Sequence, residues 1–327
     1  MKAIQQAISS SGKIVITTHK GPDGDAIGSS LAMYHYLKAK GKAVCVIVPD
    51  AFPDFLKWME GADQIIHFDT QKESALAELL NADLIFSLDY NGLSRIGELG
   101  VYVGEKDAVK VVIDHHQDPQ DFADHYYVDT DSCSTSQLVY ELIESFDDLK
   151  GITKNMAECL YCGIMTDTGS FRFPSTTAKT HRIIAHFLEL GVQASNIHQS
   201  VYDTYSEDRL RLLGFALTEK MHVYHDQGIA YISLSGEELK RFNFKKGDTE
   251  GLVNYPLSIN GIKMAVLLTE RDEEVRLSFR SKDDVYVNRL ANEHFNGGGH
   301  IYAAGGSLFM MLPEAVAYLK KILELPS

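Results

Sequence analysis

Lys13-Ile14-Val15-Ile16-Thr17-Thr18-His19-Lys20-Gly21-Pro22-Asp23-Gly24-Asp25 runs from a β-branched apolar stretch into a turn carrying three side chains able to ligate a metal. The run 13–18 predicts a buried strand. The stretch 25–40, with Ile27, Leu31, Tyr34 and Leu37 at helical spacing, predicts the helix that follows. Gly21, Pro22 and Gly24 let the backbone turn tightly enough for the ligands to converge. Asp25 is expected to cap the helix, where the positive end of the dipole favours an ionised carboxylate. A strand-to-helix turn accounts for one capping Asp and the glycines. It does not account for His19 and Asp23 beside them.

Outward from this stretch, strands are predicted over 43–48, 83–88 and 109–113 and a helix over 73–80. Further helices are predicted over 135–146, 153–165 and 177–190, the last stopped by Gly191. Short apolar runs alternating with amphipathic helices predict an α/β fold with a mostly parallel, doubly wound sheet. Ligands then bind at the carboxyl ends of the strands. Asp89 follows the run ending at Leu88, and Asp114-His115-His116 follow the run ending at Ile113, so both join His19, Asp23 and Asp25 at that edge. Successive strand residues face opposite ways, so His115 and His116 are expected to do different work. Asp167, in Gly163-Ile164-Met165-Thr166-Asp167-Thr168-Gly169, ends an apolar helix. Crowded carboxylates repel one another unless cations sit between them. Mixed carboxylate and imidazole donors suit Mn²⁺ or Mg²⁺ better than a structural zinc.

The 327 residues fit about two domains. The expected division is a metal-binding domain over 1–190, a helical connector over 191–221 and a smaller α/β domain over 222–327. The latter has strands over 228–234, 263–269 and 275–280 and helices near 285–293 and 313–323. With 45% hydrophobic and 23% charged residues, the composition is that of a globular protein. No apolar run is long enough to span a bilayer, and residues 1–13 lack a signal-like stretch, so a cytoplasmic protein without a membrane partner is expected. A net charge of −14 speaks against gripping long nucleic acid, whose binding needs a basic surface. A small phosphorylated substrate is allowed, because bound cations and a few arginines invert the local field. The four cysteines suggest no disulfide framework, and Cys159-Leu160-Tyr161-Cys162 is expected to be core rather than a redox pair. His35, His67, His181, His186 and His198 are expected to be packing or surface residues.

The His19–Asp25 turn, Asp89, the Asp114-His115-His116 triplet and Asp167 together resemble the motifs of the DHH phosphoesterase family. Arg276 to Lys282, the Phe295-Asn296-Gly297-Gly298-Gly299-His300 stretch and Ala303-Ala304-Gly305-Gly306 resemble its DHH-associated domain. The likeness is greatest to the subfamily combining oligoribonuclease and 3′-phosphoadenosine 5′-phosphate phosphatase activities. The resemblance implies two Mn²⁺ ions, with Mg²⁺ or Co²⁺ as substitutes. His19 and Asp23 would hold one and Asp25, His115 and Asp167 the other, with Asp89 bridging. Asp114 would orient a histidine, and His116 would face the scissile phosphate. Two cations about 3.5–4 Å apart can lower the pKa of a shared water and set hydroxide in line with phosphorus. A protonated His116 would stabilise the transition state or protonate the leaving oxygen.

In the second domain Arg276 and Arg280, four apart on a strand, share a face. The resemblance implies that Arg280, Ser281, Gly298, Gly299 and His300 hold the end of the substrate away from the metals, across a cleft between the domains. The implied function is hydrolysis of short oligoribonucleotides to 5′-mononucleotides and dephosphorylation of nucleoside bisphosphates, with a homodimer compatible. Alternatives are a linear or cyclic dinucleotide phosphodiesterase, an inorganic pyrophosphatase and a nucleotide-binding regulator without hydrolysis.

Overall fold

The computed structural model describes residues 1–271 and 274–326. The chain divides into two compact units, one ending at Thr204 and the other beginning at Tyr205. In order, the first contains α1 (Lys2–Ser10), β1 (Lys13–Thr18), α2 (Gly24–Ala39), β2 (Ala43–Val48), β3 (Ile66–His67), α3 (Lys72–Leu80) and β4 (Leu84–Leu88). There follow α4 (Leu99–Glu105), β5 (Val109–Asp114), β6 (His125–Val128), α5 (Thr135–Ser145), α6 (Lys154–Asp167), α7 (Ala178–Glu189) and α8 (Ala194–Tyr202). The strands form one sheet in the order β3-β2-β1-β4-β5-β6, and every pairing is parallel.

Alternation along the strands explains the layers. Ile14, Ile16, Phe86, Leu88, Val111 and Ile113 enter the larger core with α2, α5 and α6. Val15, Ile47 and Ile85 enter a smaller core on the other face, with Leu79 of α3 and Val103 of α4. A sheet apolar on both faces must be covered on both, which gives the doubly wound form. Strand order reverses between β1 and β4, so a crevice opens at the carboxyl ends of these two neighbours. There β1, β4 and β5 deliver their polar termini.

Two sheet members escaped the periodicity. β3 has only two residues, and β6 (His-Tyr-Tyr-Val) follows a turn-rich stretch without an apolar run. Helices α1 and α4 were likewise not predicted. The expected capping is also corrected: Asp23, not Asp25, caps α2, its side chain accepting from the amides of Asp25 and Ala26. Helix α2 crosses α6 closely, because a Cβ on Gly28 would lie 2.4 Å from the Cys159 carbonyl oxygen. Cys159 and Cys162 are free, buried core residues of that contact.

The second unit contains α9 (Glu207–Glu219), β7 (Met221–Tyr224), β8 (Ile229–Leu234), α10 (Gly236–Arg241), β9 (Met264–Arg271), β10 (Glu274–Ser281), α11 (Val287–His294), β11 (Gly298–His300), β12 (Ala303–Leu308) and α12 (Leu312–Ile322). Its sheet runs β11-β12-β10-β9-β8-β7 and is mixed, with only β8 and β9 parallel among its pairs. The two helices within 191–221 are built into different units. Ile197 and Val201 of α8 join the first unit's core, whereas Leu212 and Ala216 of α9 pack on Ile232 and Leu267 of the second. Among the described residues no helix is long and apolar enough to cross a membrane.

Candidate metal centre

His19 leaves the end of β1 buried, and its Nδ1 lies 3.1 Å from the Lys20 carbonyl oxygen. A carbonyl only accepts, so Nδ1 carries the proton and Nε2 is turned toward the carboxylates. Nε2 lies 3.4 Å from Asp89 Oδ2 and 3.7 Å from Asp23 Oδ2. The turn between them is pinned by the Gly21 amide, which donates to Asp50 Oδ1 at 2.6 Å, and by the Lys20 amide, which donates to the Arg95 carbonyl at 2.8 Å.

His115 repeats the device one strand farther out. Its Nδ1 lies 3.2 Å from the Ser132 carbonyl oxygen. Its Nε2 lies 3.3 Å from Asp167 Oδ2, 3.5 Å from Asp89 Oδ1 and 3.8 Å from Asp25 Oδ2. Asp89 therefore offers Oδ2 to the His19–Asp23 set and Oδ1 to the Asp25–His115–Asp167 set. It does so from a backbone with φ +64°, a left-handed conformation unusual for a non-glycine residue and often found at functional sites. Two donors bound at right angles to one ion sit about 3 Å apart at ordinary ligand distances. The donor atoms of His19, Asp23 and Asp89, and those of Asp25, Asp89 and His115, lie within 4.8 Å of one another, with Asp167 joined to the second group through His115. The residues fit a pair of divalent cations.

His116 Nδ1 lies 2.7 Å from Asp114 Oδ1, while Asp114 Oδ2 is buried without a hydrogen-bond partner among the described residues. Strand alternation does not separate the two histidines. Both lie beyond the end of β5, and their rings meet edge-on with centroids 5.1 Å apart, so they share a side. What separates them is their partners.

Electrostatics agree with a site whose carboxylates call for positive charge. Burial opposes protonation of His19, but its contact with Asp89 and the charge of Asp23 outweigh it and raise its pKa to about 9. Burial likewise opposes the charged form of His115, yet Asp167, Asp89 and Asp25 hold its pKa well above the usual value. Burial and the neighbouring Asp89 and Asp167 charges push Asp25 well above the carboxylate range. Asp167 is lifted to about 6, chiefly by burial. Asp89, though buried, is held low by His115 and His19. Protons on the imidazoles balance the charge that divalent cations would otherwise supply.

Sequence reading missed the segment Ser132-Cys133-Ser134-Thr135-Ser136, which enters α5. Thr135 and Ser136 amides donate to Asp25 Oδ2 and Oδ1 at 2.6 and 2.8 Å, and Thr135 Oγ1 donates to Asp89 Oδ1 at 3.0 Å. The available signal is four hydroxyl residues, Ser132, Ser134, Thr135 and Ser136, at the start of a helix, where capping is the ordinary explanation; Ser134 does cap α5.

In the second unit Arg276 and Arg280 share a face of β10, and both their neighbours Leu277 and Phe279 point into the core. Arg276 is paired with Glu274 at 2.6 Å. Ser281 is buried, and its hydroxyl donates to the Val285 carbonyl. The glycine stretch read as a loop is the short strand β11, paired with β12. Gly297 and Gly299 permit that pairing, since a Cβ would lie 1.9 Å from the Gly305 oxygen or 2.6 Å from the Ala303 oxygen. Around Gly298 there is open space, and His300 closes the strand. Elsewhere in the first unit, His35, His186 and His198 bond to the Glu60 carbonyl, Tyr140 and Tyr161, in packing roles.

The DHH family N-terminal domain model matches residues 13–164, and the DHHA1 domain model matches residues 226–325. The bifunctional oligoribonuclease and PAP phosphatase of Thermus thermophilus is 32% identical over 299 residues, covering 91% of this chain and 84% of that protein. The crystal structure of an exopolyphosphatase-related protein from Bacteroides fragilis is 44% identical with a TM-score of 0.94, covering 99% of this chain and 95% of that one. RecJ from Thermus thermophilus in complex with Mn²⁺, 13% identical with a TM-score of 0.55 over 100% of this chain and 54% of its own, shares the fold. With these likenesses spanning nearly its whole length, the chain belongs to the DHH phosphoesterase family.

Proposed function

We propose that the protein is a Mn²⁺-dependent phosphoesterase that hydrolyses short oligoribonucleotides to 5′-mononucleotides and dephosphorylates 3′-phosphoadenosine 5′-phosphate. The observation that carries this reading is Asp89, whose two carboxylate oxygens address two separate Asp/His sets. The bifunctional relative supplies the substrate class. His19 and Asp23 would hold one cation, Asp25, His115 and Asp167 the other, and Asp89 would serve both. When bound, the cations supply a water of lowered pKa and neutralise charge on the phosphoryl oxygens.

The remaining work falls to the chain itself. Asp114 fixes the ring of His116 through Nδ1, leaving proton transfer at the leaving oxygen, or stabilisation of charge there, to Nε2. Arg280, with a planar guanidinium suited to phosphate, holds the substrate together with Ser281, Gly298, Gly299 and His300. A short substrate, rather than a long strand, agrees with the net charge of −14. A cytoplasmic setting belongs to the same proposal. The test is a panel with and without Mn²⁺ and a chelator: 3′-phosphoadenosine 5′-phosphate, di- to pentanucleotide RNA, cyclic di-AMP and pyrophosphate. Hydrolysis of the first two groups, abolished by chelator, is expected. Preferential cleavage of cyclic di-AMP or pyrophosphate would move the protein to another branch. Binding without turnover would make it a regulator.

A further inference from the structure

The segment from Ser132 to Ser136 touches three proposed ligands that come from three separate strand or turn ends. Its Ser132 carbonyl faces His115, its Thr135 and Ser136 amides grip both oxygens of Asp25, and its Thr135 hydroxyl donates to Asp89. These five residues include no carboxylate and no imidazole, so they organise ligands rather than supply them. Within that segment the Thr135 hydroxyl is the only side-chain donor seen on Asp89, and it bonds Oδ1 and not Oδ2 among the described contacts. Oδ1 is the oxygen 3.5 Å from His115 Nε2 and 3.8 Å from His116 Nδ1, and Asp25, Asp89 and His115 form one candidate ligand group.

We infer that Thr135 is a positioning residue that makes the two metal positions unequal, tuning the Asp25–His115–Asp167 site through the bridging carboxylate. The inference rests on the proposed two-cation reading. A carboxylate oxygen has two lone pairs. A hydroxyl donating to one of them fixes the carboxylate plane and leaves the other for a cation. Without that donor, Asp89 can rotate about its side-chain bonds, and the geometry of Oδ1 suffers first. Thr135 is fully buried, so water does not readily replace its hydroxyl. Its methyl group offers no such bond, and valine keeps the shape while removing the donor. Partners that orient ligands in this way alter metal affinity about 10- to 100-fold when removed.

The experiment is a Mn²⁺ titration of the metal-free full chain by calorimetry and electron paramagnetic resonance, for wild type, Thr135→Val and Thr135→Ser, with thermal melting of each. Wild type should take up two ions with the spin–spin signature of a coupled pair. Thr135→Val should retain one ion near wild-type affinity, bind the other about 10- to 100-fold more weakly and lose the coupled signature at intermediate Mn²⁺. Thr135→Ser, which keeps the donor, should restore both. Two ions bound as in wild type by Thr135→Val would overturn the inference. So would equal weakening of both sites, or a serine variant no better than valine. A wild-type chain that binds no pair of ions would sink the two-cation reading itself, a result distinct from a normal wild type with an indifferent Thr135→Val.

Discussion

The two units gather their candidate residues by opposite means. In the first, ligands come from the ends of β1, β4, β5 and α6, between His19 and Asp167, and the fold closes that distance with buried hydrogen bonds. In the second, Arg280 and Ser281 sit on β10 and Gly298, Gly299 and His300 on β11, the two strands that flank β12, and the pairing of these strands is local in sequence. A centre assembled from distant segments must be rigid, because each ligand is costly to bury without the others. A hairpin surface can vary residue by residue while its backbone persists. Damage in the first unit should therefore spread, and damage in the second should stay where it is made.

The largest effect should come from Asp89→Ala. Loss of both oxygens that join the sets should lower kcat on the order of 10³-fold or more, equivalent to the several kcal/mol of charge stabilisation that metal centres provide. Steady-state kinetics with Mn²⁺ on a dinucleotide measures it; near-normal turnover would remove Asp89 from the mechanism.

Next comes Gly163→Ala, one helical turn before Asp167 on α6. Its Cβ would lie 2.0 Å from Ser136 Oγ and 2.8 Å from Asp25 Oδ1, so α5 or α6 must move. A destabilisation of about 1–3 kcal/mol is expected, with weaker Mn²⁺ binding alongside it. Thermal melting and a metal titration give both; a stable variant with altered metal binding would show that the packing and the site are separable.

The charge balance supplies a third break. The folded pKa of His19, about 9, exceeds its unfolded value of 6.5. Its contribution to stability is therefore complete below pH 6.5 and lost as pH rises through 9. Asp167, raised from 3.8 to about 6, acts in the same sense at lower pH, stabilising below 3.8 and losing that contribution through 6. The metal-free protein should thus melt at lower temperature at pH 9 than at pH 6.5, and Mn²⁺ should reduce the difference by replacing the protons. Melting curves at the two pH values, with and without Mn²⁺, decide this; no pH dependence in the metal-free protein would contradict the assigned proton positions.

The smallest effects lie in the second unit and sharpen the contrast. Arg280→Ala should raise KM for nucleotide substrates about tenfold, as expected for one lost charge-assisted hydrogen bond, and leave Mn²⁺ affinity and melting temperature alone. Arg276→Ala, on the same face but exposed and paired with Glu274, should change neither. Equal KM effects from both would mean that the strand face acts as a diffuse charge and not through Arg280.

How much of this was readable beforehand follows the same division. His19, Asp89 and His115 draw notice because each stands at or just past the abrupt end of an apolar run; Asp23 shares the turn with His19, and Asp167, by itself a plain helix end, is singled out only by the family resemblance. The short β3 and the tyrosine-bearing β6 lack such a run, so their place beside β2 and β5 emerges only from pairing. Thr135 was hidden for a different reason. Hydroxyl residues ahead of a helix satisfy its first amides, an ordinary task that Ser134 performs. That the next two residues turn their amides to a carboxylate more than 100 positions away is a tertiary fact. Asp23 and Asp25 exchanged expected capping roles for the same reason: both can cap, and the turn geometry chooses.

The Cys162 thiol lies in the close contact of α2 with α6, and burial together with the Asp25 and Asp23 charges lifts its pKa to about 12. At neutral pH almost none of it is thiolate, so alkylating reagents and peroxide find no nucleophile until that helical seam parts. The side chain is in effect an internal clock: its rate of modification reports how often the floor beneath the acidic pocket breathes open.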